Sequence, residues 1–147
     1  MRLKSRLVLV GLLLVAALTV GCTGGGGSSA TNEAQIHVVL DRYETAMVNG
    51  DAEGLANLMI FPLTIDGETI STKEEAIFMY SFAFGMMDIH EFKLKDREII
   101  VSSSGTTATV SGVTHSKISS FFGTETDSQP ITLQLKKVGS QWKVSGD

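Results

Sequence analysis

The sequence predicts an α+β domain in which three helices pack on one face of a curved antiparallel sheet. Three observations carry this. Apolar residues recur at helical spacing between residues 31 and 84. From Glu91 onward they alternate with a period of two. Gly- and Ser-rich turns then separate four β-prone runs.

The first helix is expected from Thr31 to Asn49, with Thr31 or Asn32 as its cap. Ile36, Val39, Leu40, Tyr43, Ala46 and Met47 form one apolar stripe along it. Asn49-Gly50 stops it, because both residues tolerate a left-handed cap. Asp51 opens a second, short helix whose Leu55, Leu58 and Met59 face inward, and Phe61-Pro62 ends it. Asp66-Gly67 stands between the short β-prone runs of Leu63 to Ile70, which is a hairpin signal. Ser71 and Glu74 match a capping box for a third helix reaching about Phe84. That helix is apolar nearly all round, through Ala76, Ile77, Phe78, Met79, Tyr80, Phe82, Ala83 and Phe84. It is therefore expected to be buried on most sides, to line a cavity or to meet a partner subunit.

Four strands follow. Phe92 and Leu94 with Ile99 to Val101 mark the first, and Thr106 to Ile118 the second. Ile131, Leu133 and Leu135 alternate with Thr132, Gln134 and Lys136 in the third, and Trp142 and Val144 mark the fourth. Ser102 to Gly105, Gly123 to Ser128 and Val138 to Ser140 are read as the turns. There are no internal repeats.

Ahead of this domain lies an address. Arg2, Lys4 and Arg6 precede an apolar run from Leu7 to Leu18. That run falls short of the roughly 20 residues a membrane-spanning helix needs, so residues 1–21 read as a processed signal peptide. Thr19-Val20-Gly21-Cys22 resembles a bacterial lipobox, with Gly21 as the small residue before the cysteine and Thr19 where leucine is usual. The resemblance implies a diacylglyceryl group on the Cys22 thiol, cleavage before Cys22, and further acylation by a chain such as palmitate. Two or three acyl chains suffice for stable anchoring. Residues 22–30 combine the lipidated cysteine with a Gly/Ser linker reaching roughly 15 Å as a coil. Residues 31–147 are the folded domain. The protein is expected in the cell envelope, held through Cys22 at the outer face of the plasma membrane or at the outer membrane. Thr23 is not the aspartate of the usual inner-membrane retention signal.

Composition narrows the function. The 147 residues carry 12 Lys+Arg and 16 Asp+Glu, net −4, which argues against nucleic-acid binding. Loss of Arg2, Lys4 and Arg6 with the signal takes the mature chain to −7, so the domain is expected to stand off anionic lipid. Hydrophobic residues make up 43% and charged ones 19%, the balance of a folded chain. One cysteine permits no internal disulfide and no Cys-rich zinc site.

The order of elements over Ala34 to Gly146 resembles the nuclear transport factor 2-like superfamily, a cone-shaped α+β barrel. Its carriers are Tyr43 to Asp51 with Gly50-Asp51 between the helices, then Leu55 to Met59, and the terminal Gln141-Trp142-Lys143-Val144-Ser145. A cystatin-like helix-plus-meander fold is the alternative. The resemblance implies an apolar pocket between helices and sheet, and frequent dimers through the sheet. It implies no single function, because isomerases, dehydratases, polyketide cyclases and non-catalytic binding domains share the fold.

Tyr43, Phe61, Tyr80, Phe84, Phe92, His115 and Trp142 are the expected pocket residues for a small apolar ligand. A ketosteroid isomerase-like or polyketide cyclase-like enzyme would need a carboxylate base and hydrogen-bond donors for an oxyanion. Tyr43 as donor, Asp66 as base and His115 as a polar contact are the weak catalytic candidates. Each has a plainer reading: a core tyrosine, a solvated turn aspartate and a surface strand histidine. Asp96 and Glu98, the other acidic candidates, read as exposed, as does His37. Asp88 and His90 are too few for a metal site. No cofactor is implied. Phe121-Phe122 cannot both face one core, which suggests an interface or a loop that packs back. The leading expectation is a non-catalytic envelope lipoprotein that binds a small apolar ligand or a protein partner. The enzyme and a structural assembly module dimerising through the sheet and Phe121-Phe122 are the alternatives.

Overall fold

The computed structural model describes residues 26–65 and 67–145. The expected signal peptide, Cys22 and Asp66 lie outside the described residues. The elements run α1 (Gly26–Asn49), α2 (Ala52–Asn57), β1 (Leu63–Ile65), β2 (Glu68–Ile70), α3 (Lys73–Met86), β3 (Met87–Val101), β4 (Thr107–Ser120), β5 (Gly123–Val138) and β6 (Gln141–Ser145). β1 and β2 form a hairpin, and β3 to β6 form an antiparallel meander in the order β3-β4-β5-β6. Helices covering one face of a curved sheet make this the expected α+β architecture.

α1 starts at Gly26, five residues before the expected Thr31, so the end of the Gly/Ser segment is helical. Extending an existing helix costs far less than starting one. Asn32 on the first described turns is buried, and its Oδ1 accepts from Lys137 Nζ at 3.1 Å. The predicted stripe does face inward: Ile36, Val39, Leu40, Ala46 and Met47 are buried, with Tyr43 half-buried. Asp51 caps α2 as expected, accepting from the Gly54 N–H at 2.8 Å.

The capping box of α3 sits one residue later than the sequence suggested. Thr72, not Ser71, is the cap, accepting from the Glu75 N–H at 3.2 Å. Glu75, not Glu74, reaches back to accept from the Ser71 N–H at 2.8 Å. Both frames contain a hydroxyl residue followed three positions later by glutamate, so the local signal was degenerate. The frame adopted turns Ala76 into the core. Of the three expectations for α3, burial on most sides is not met. Ala76 is its only buried residue, while Phe78 and Phe82 are 73% and 63% exposed.

Gly123 to Ser128, read as a turn, belongs to β5. Ser120 pairs with Gly123, so Phe121-Phe122 alone is the hairpin connection. Thr124 and Thr126 are β-branched and suit an extended, half-open strand. The register assigns faces to the sheet. Leu94, Thr114 and Gln129 are cross-strand partners on the helix-covered side, as are Ile99, Val110 and Leu133. Lys93, His115 and Ser128 align on the other side. The interior divides into two clusters along the strands. Ile36, Leu40, Leu94, Val110, Leu135 and Trp142 fill one, nearer the N-terminus of α1. Met47, Leu55, Leu63, Ile70, Ile89 and Phe92 centre the other, at the end where β3 begins.

Candidate functional site

Five of the seven residues expected to line a pocket meet in the second cluster. Phe92 is buried there, and Tyr43, Phe61, Tyr80 and Phe84 pack against it half-buried, together with Ile77, Met87 and Ile118. Tyr43 comes from the inward stripe of α1. Tyr80 and Phe84 come one turn apart from the inward face of α3. The Tyr43 and Phe92 rings lie 5.9 Å apart and tilted by 56°, and Tyr80 stacks on Phe84 at 6.2 Å. The Tyr80 hydroxyl donates to Met59 Sδ at 3.8 Å, a soft and weak acceptor.

Burial pushes the Tyr43 phenol up to about 12. Burial pushes Tyr80 still further above the ordinary tyrosine range, and the neighbouring Tyr43 adds to it. Both phenols therefore keep their protons at any physiological pH. They are neutral donors in an apolar setting and cannot act as bases. The half-buried aromatic rim and three methionines, Met47, Met59 and Met87, give this cluster soft, re-packable walls.

The other two expected pocket residues lie elsewhere. Trp142 is buried in the first cluster, its Nε1–H without a partner and Lys137 Nζ 5.8 Å from its ring. His115 stands on the uncovered face of the sheet, where its Nδ1 and Ser128 Oγ are 2.8 Å apart. The strand period that puts Leu94 and Val110 inward puts His115 outward, so it does not join the phenols. Asp66 lies outside the described residues; the β1–β2 hairpin on either side of it in sequence contributes buried Leu63 and Ile70 to the Tyr43 cluster. Asp96 and Glu98 are exposed, as are Asp88 and His90. His90 Nε2 lies 2.7 Å from Ser119 Oγ. Among the described residues no group of three or more His, Cys, Asp or Glu could hold a metal ion.

Beside the phenols lies a polar clasp that the sequence reading missed. Glu44 is buried one residue after Tyr43. It accepts from the Leu94 N–H at 2.7 Å, from Arg97 Nη2 at 2.7 Å and from Lys93 Nζ at 3.1 Å. Arg97 also donates to the Leu94 carbonyl at 2.9 Å and to Asp41 Oδ1 at 2.8 Å, and its Nη1 lies 3.4 Å from His37 Nδ1. A break in the β3–β4 register between Lys95 and Glu98, with Asp96 at φ 53°, aims Arg97 toward α1. Gly112 makes room for that irregularity: a Cβ there would lie 2.7 Å from the Lys95 carbonyl oxygen. Burial pushes the Glu44 carboxyl up, but the Leu94 N–H, Arg97 and Lys93 outweigh it and hold it below the ordinary glutamate value. The clasp fixes α1 on β3 and so sets the Tyr43–Phe92 contact. An available clue was a glutamate adjoining the inward stripe, since a buried carboxylate requires partners.

Two open grooves flank α1. One of about 510 Å³ runs between α1 and α2 past Asp41, Arg42, Asn49 and Asp51. One of about 280 Å³ lies between the end of α1 and the start of β3, past Glu44, Asn49, His90 and Lys93. Both mix charged residues with apolar ones, Val38, Ala46 and Leu58 in the first and Val48 and Phe92 in the second.

No family model matches the sequence, and no curated protein matches it. Solved structures do match its fold. A Mycobacterium tuberculosis protein of unknown function is 18% identical with a TM-score of 0.71, over 86% of this chain and 75% of that one. A provisionally assigned calcium/calmodulin-dependent kinase II association domain from Exiguobacterium sibiricum is 13% identical with a TM-score of 0.65, over 86% and 93%. A provisionally assigned dehydratase of the nuclear transport factor 2-like family from Streptomyces avermitilis is 21% identical with a TM-score of 0.59, over 80% and 94%. The chain has the nuclear transport factor 2-like fold, and at these identities the likeness concerns the fold alone.

Proposed function

We propose that this chain is a lipid-anchored protein of the bacterial cell envelope, held through Cys22, whose domain binds a small, largely apolar ligand without transforming it. The observation that carries the binding reading is the pairing of Tyr43 and Tyr80. Two protonated phenols project into a cluster whose other described members are apolar. Such a site can accept hydrocarbon surface and one or two hydrogen-bond acceptors, such as a carbonyl or ester oxygen. The partly exposed rim of Phe61, Ile77, Tyr80 and Phe84 is the way in. The anchor is supported by the lipobox-like Thr19-Val20-Gly21-Cys22 behind a short apolar run.

The test is native mass spectrometry of the full chain released from its own membranes in detergent micelles, beside the Tyr80→Phe and Phe84→Ala variants. A small molecule retained by the wild type and depleted in both variants is the expected result. A bare wild-type chain after gentle release would overturn the binding reading. The same spectra read the anchor, because cleavage and acylation at Cys22 change the chain mass, and Cys22→Ala should abolish that change.

A proton-transfer enzyme is favoured over this reading by one observation only. The β1–β2 hairpin, between whose strands Asp66 falls in the sequence, packs through Leu63 and Ile70 on the Tyr43 cluster. Asp66→Asn should then abolish turnover of a carbonyl substrate while leaving ligand retention intact.

A further inference from the structure

We propose that the outward face of α3, together with the β4–β5 tip, is an isologous interface with a second copy of this chain. Phe78, Ser81, Phe82 and Gly85 recur at i, i+3, i+4 and i+7, and Met86 follows on the same side. No charged side chain occurs between Glu75 and Asp88. The stripe continues into the hairpin tip, because Met87 pairs with Ser120. Met86 and Phe121 each adjoin one member of that pair. Phe121 and Phe122 are 96% and 84% exposed, and their rings meet edge to face at 5.7 Å.

The area of the patch fits a second copy. Phe78, Phe82, Phe121 and Phe122 with Met86, 55% exposed, present on the order of 700 Å² of side-chain surface, taking about 200 Å² for a whole ring. The largest apolar patch on an ordinary monomer is about 300–600 Å². One partner's share of a standard stable interface is about 800 Å².

Shape points to a copy of the same chain. An isologous contact needs knob and hole on one surface. Phe78 and Phe82 are the knobs. Gly85, helical and beside Phe82, is the hole: a Cβ there would meet nothing within 4 Å. A helical glycine weakens a helix relative to alanine and here relieves no contact within the chain. Close approach of a partner ring at Gly85 gives it a role.

Position and charge weigh against a lipid bilayer as the occupant. Asn32, near the start of α1, lies beside Gly105 and Lys137, at the end of the sheet opposite Phe121-Phe122. Around the tip the exposed Asp88, Glu125 and Asp127 outnumber Lys117, a net negative charge that anionic lipid repels.

The test uses the full chain in the membranes of the expressing cell and in detergent micelles. Thiol oxidation of Phe82→Cys in membranes should give a band of twice the chain mass. The wild type, and Thr126→Cys on the uncovered sheet face, should not. Native mass spectrometry should show a wild-type dimer that falls at least tenfold in Phe82→Glu and in Gly85→Leu. Both variants should keep the wild-type circular dichroism, since both positions are open. A wild-type monomer in native mass spectrometry, together with no doubled band from Phe82→Cys, would overturn the proposal. So would a dimer unaffected by both variants, or a Phe82→Cys adduct whose mass is not twice that of the chain.

Discussion

Glu44→Ala is the sharpest perturbation of the structural logic around the site. It removes the acceptor of the buried Leu94 N–H and the shorter of the two ion pairs of Arg97. An unpartnered buried donor costs about 1–3 kcal/mol, and breaking a buried ion pair about 3–5 kcal/mol. Arg97 keeps Asp41 and the Leu94 carbonyl and is 15% exposed, so the lower end applies, about 3 kcal/mol. With a urea slope of about 1.5 kcal/mol/M, the unfolding midpoint should fall by about 2 M. Trp142, the single and buried tryptophan, reports the transition by fluorescence. Glu44→Ala and Arg97→Met combined should lose less than the sum of the two singles, because they share one contact. A loss below about 1 kcal/mol, or strict additivity, would refute the clasp, since desolvation would then offset the attraction. The pH dependence gives a second handle. Glu44 is held below its ordinary 4.5, so the folded chain takes up this proton less readily than the unfolded one. Its stabilisation is complete above that ordinary value and disappears as pH falls through the folded value. Glu44→Gln should therefore flatten stability against pH on the acid side.

The tyrosines set the opposite, alkaline limit. Tyr43 is raised to about 12 and Tyr80 further, so their neutral burial stabilises fully below pH 10 and fails as pH rises toward 12. Tyrosinate absorbance should appear together with loss of Trp142 fluorescence, and Tyr43→Phe should move the transition upward. Gly112→Ala should cost about 1–3 kcal/mol in urea unfolding, because its Cβ would strike the Lys95 carbonyl and the Leu94 side chain. A neutral Gly112→Ala would mean that the β3 irregularity is not held by that close approach. Asp51→Ala should cost about 1 kcal/mol through loss of the α2 cap, measured the same way. Asp51→Asn, which keeps an acceptor oxygen, should cost much less.

Local periodicity carried most of the architecture. The α1 stripe, the Asp51 cap, the Asp66-Gly67 hairpin and the Trp142–Val144 strand are patterns within a few residues of one another, and sequence displays such patterns directly. The misses are non-local or degenerate. Glu44 and Arg97 are 53 residues apart and meet only because the strand irregularity at Asp96 re-aims one of them. Ser71/Glu74 and Thr72/Glu75 are equivalent capping frames, and only the burial of Ala76 separates them. The apolar composition of α3 announced a hydrophobic helix without revealing that one side faces outward. His115 was placed correctly opposite Ala108 and Val110 by its spacing, yet which side the helices would cover was a tertiary fact. Pocket and core draw on the same residue types, so the split of Trp142 from Tyr43 into separate clusters was not legible either.

That split gives the domain a polarity along its strands. Lys137, Asn32 and Trp142 gather where α1 begins, and the chain leaves for Cys22 from that end. Tyr43, Tyr80 and Phe92 gather where β3 begins, beside the hairpin tip. β4 spans 14 residues between the two ends, roughly 46 Å at about 3.3 Å per residue. Cys22 stands four positions before Gly26 in the sequence, a reach of at most about 14 Å. Under the anchoring proposed for Cys22, the first cluster faces the home bilayer and the phenol cluster is held at the far end. With the cleavage proposed before Cys22 the chain would carry −7 and be repelled from an anionic surface rather than laid along it. A ligand reaching Tyr43 and Tyr80 would then come from the aqueous space or from an opposing surface, not by lateral diffusion within the anchoring leaflet. Lengthening the Gly-rich segment should accordingly leave ligand loading unchanged, whereas a site supplied by the home leaflet would load more readily as the tether grew.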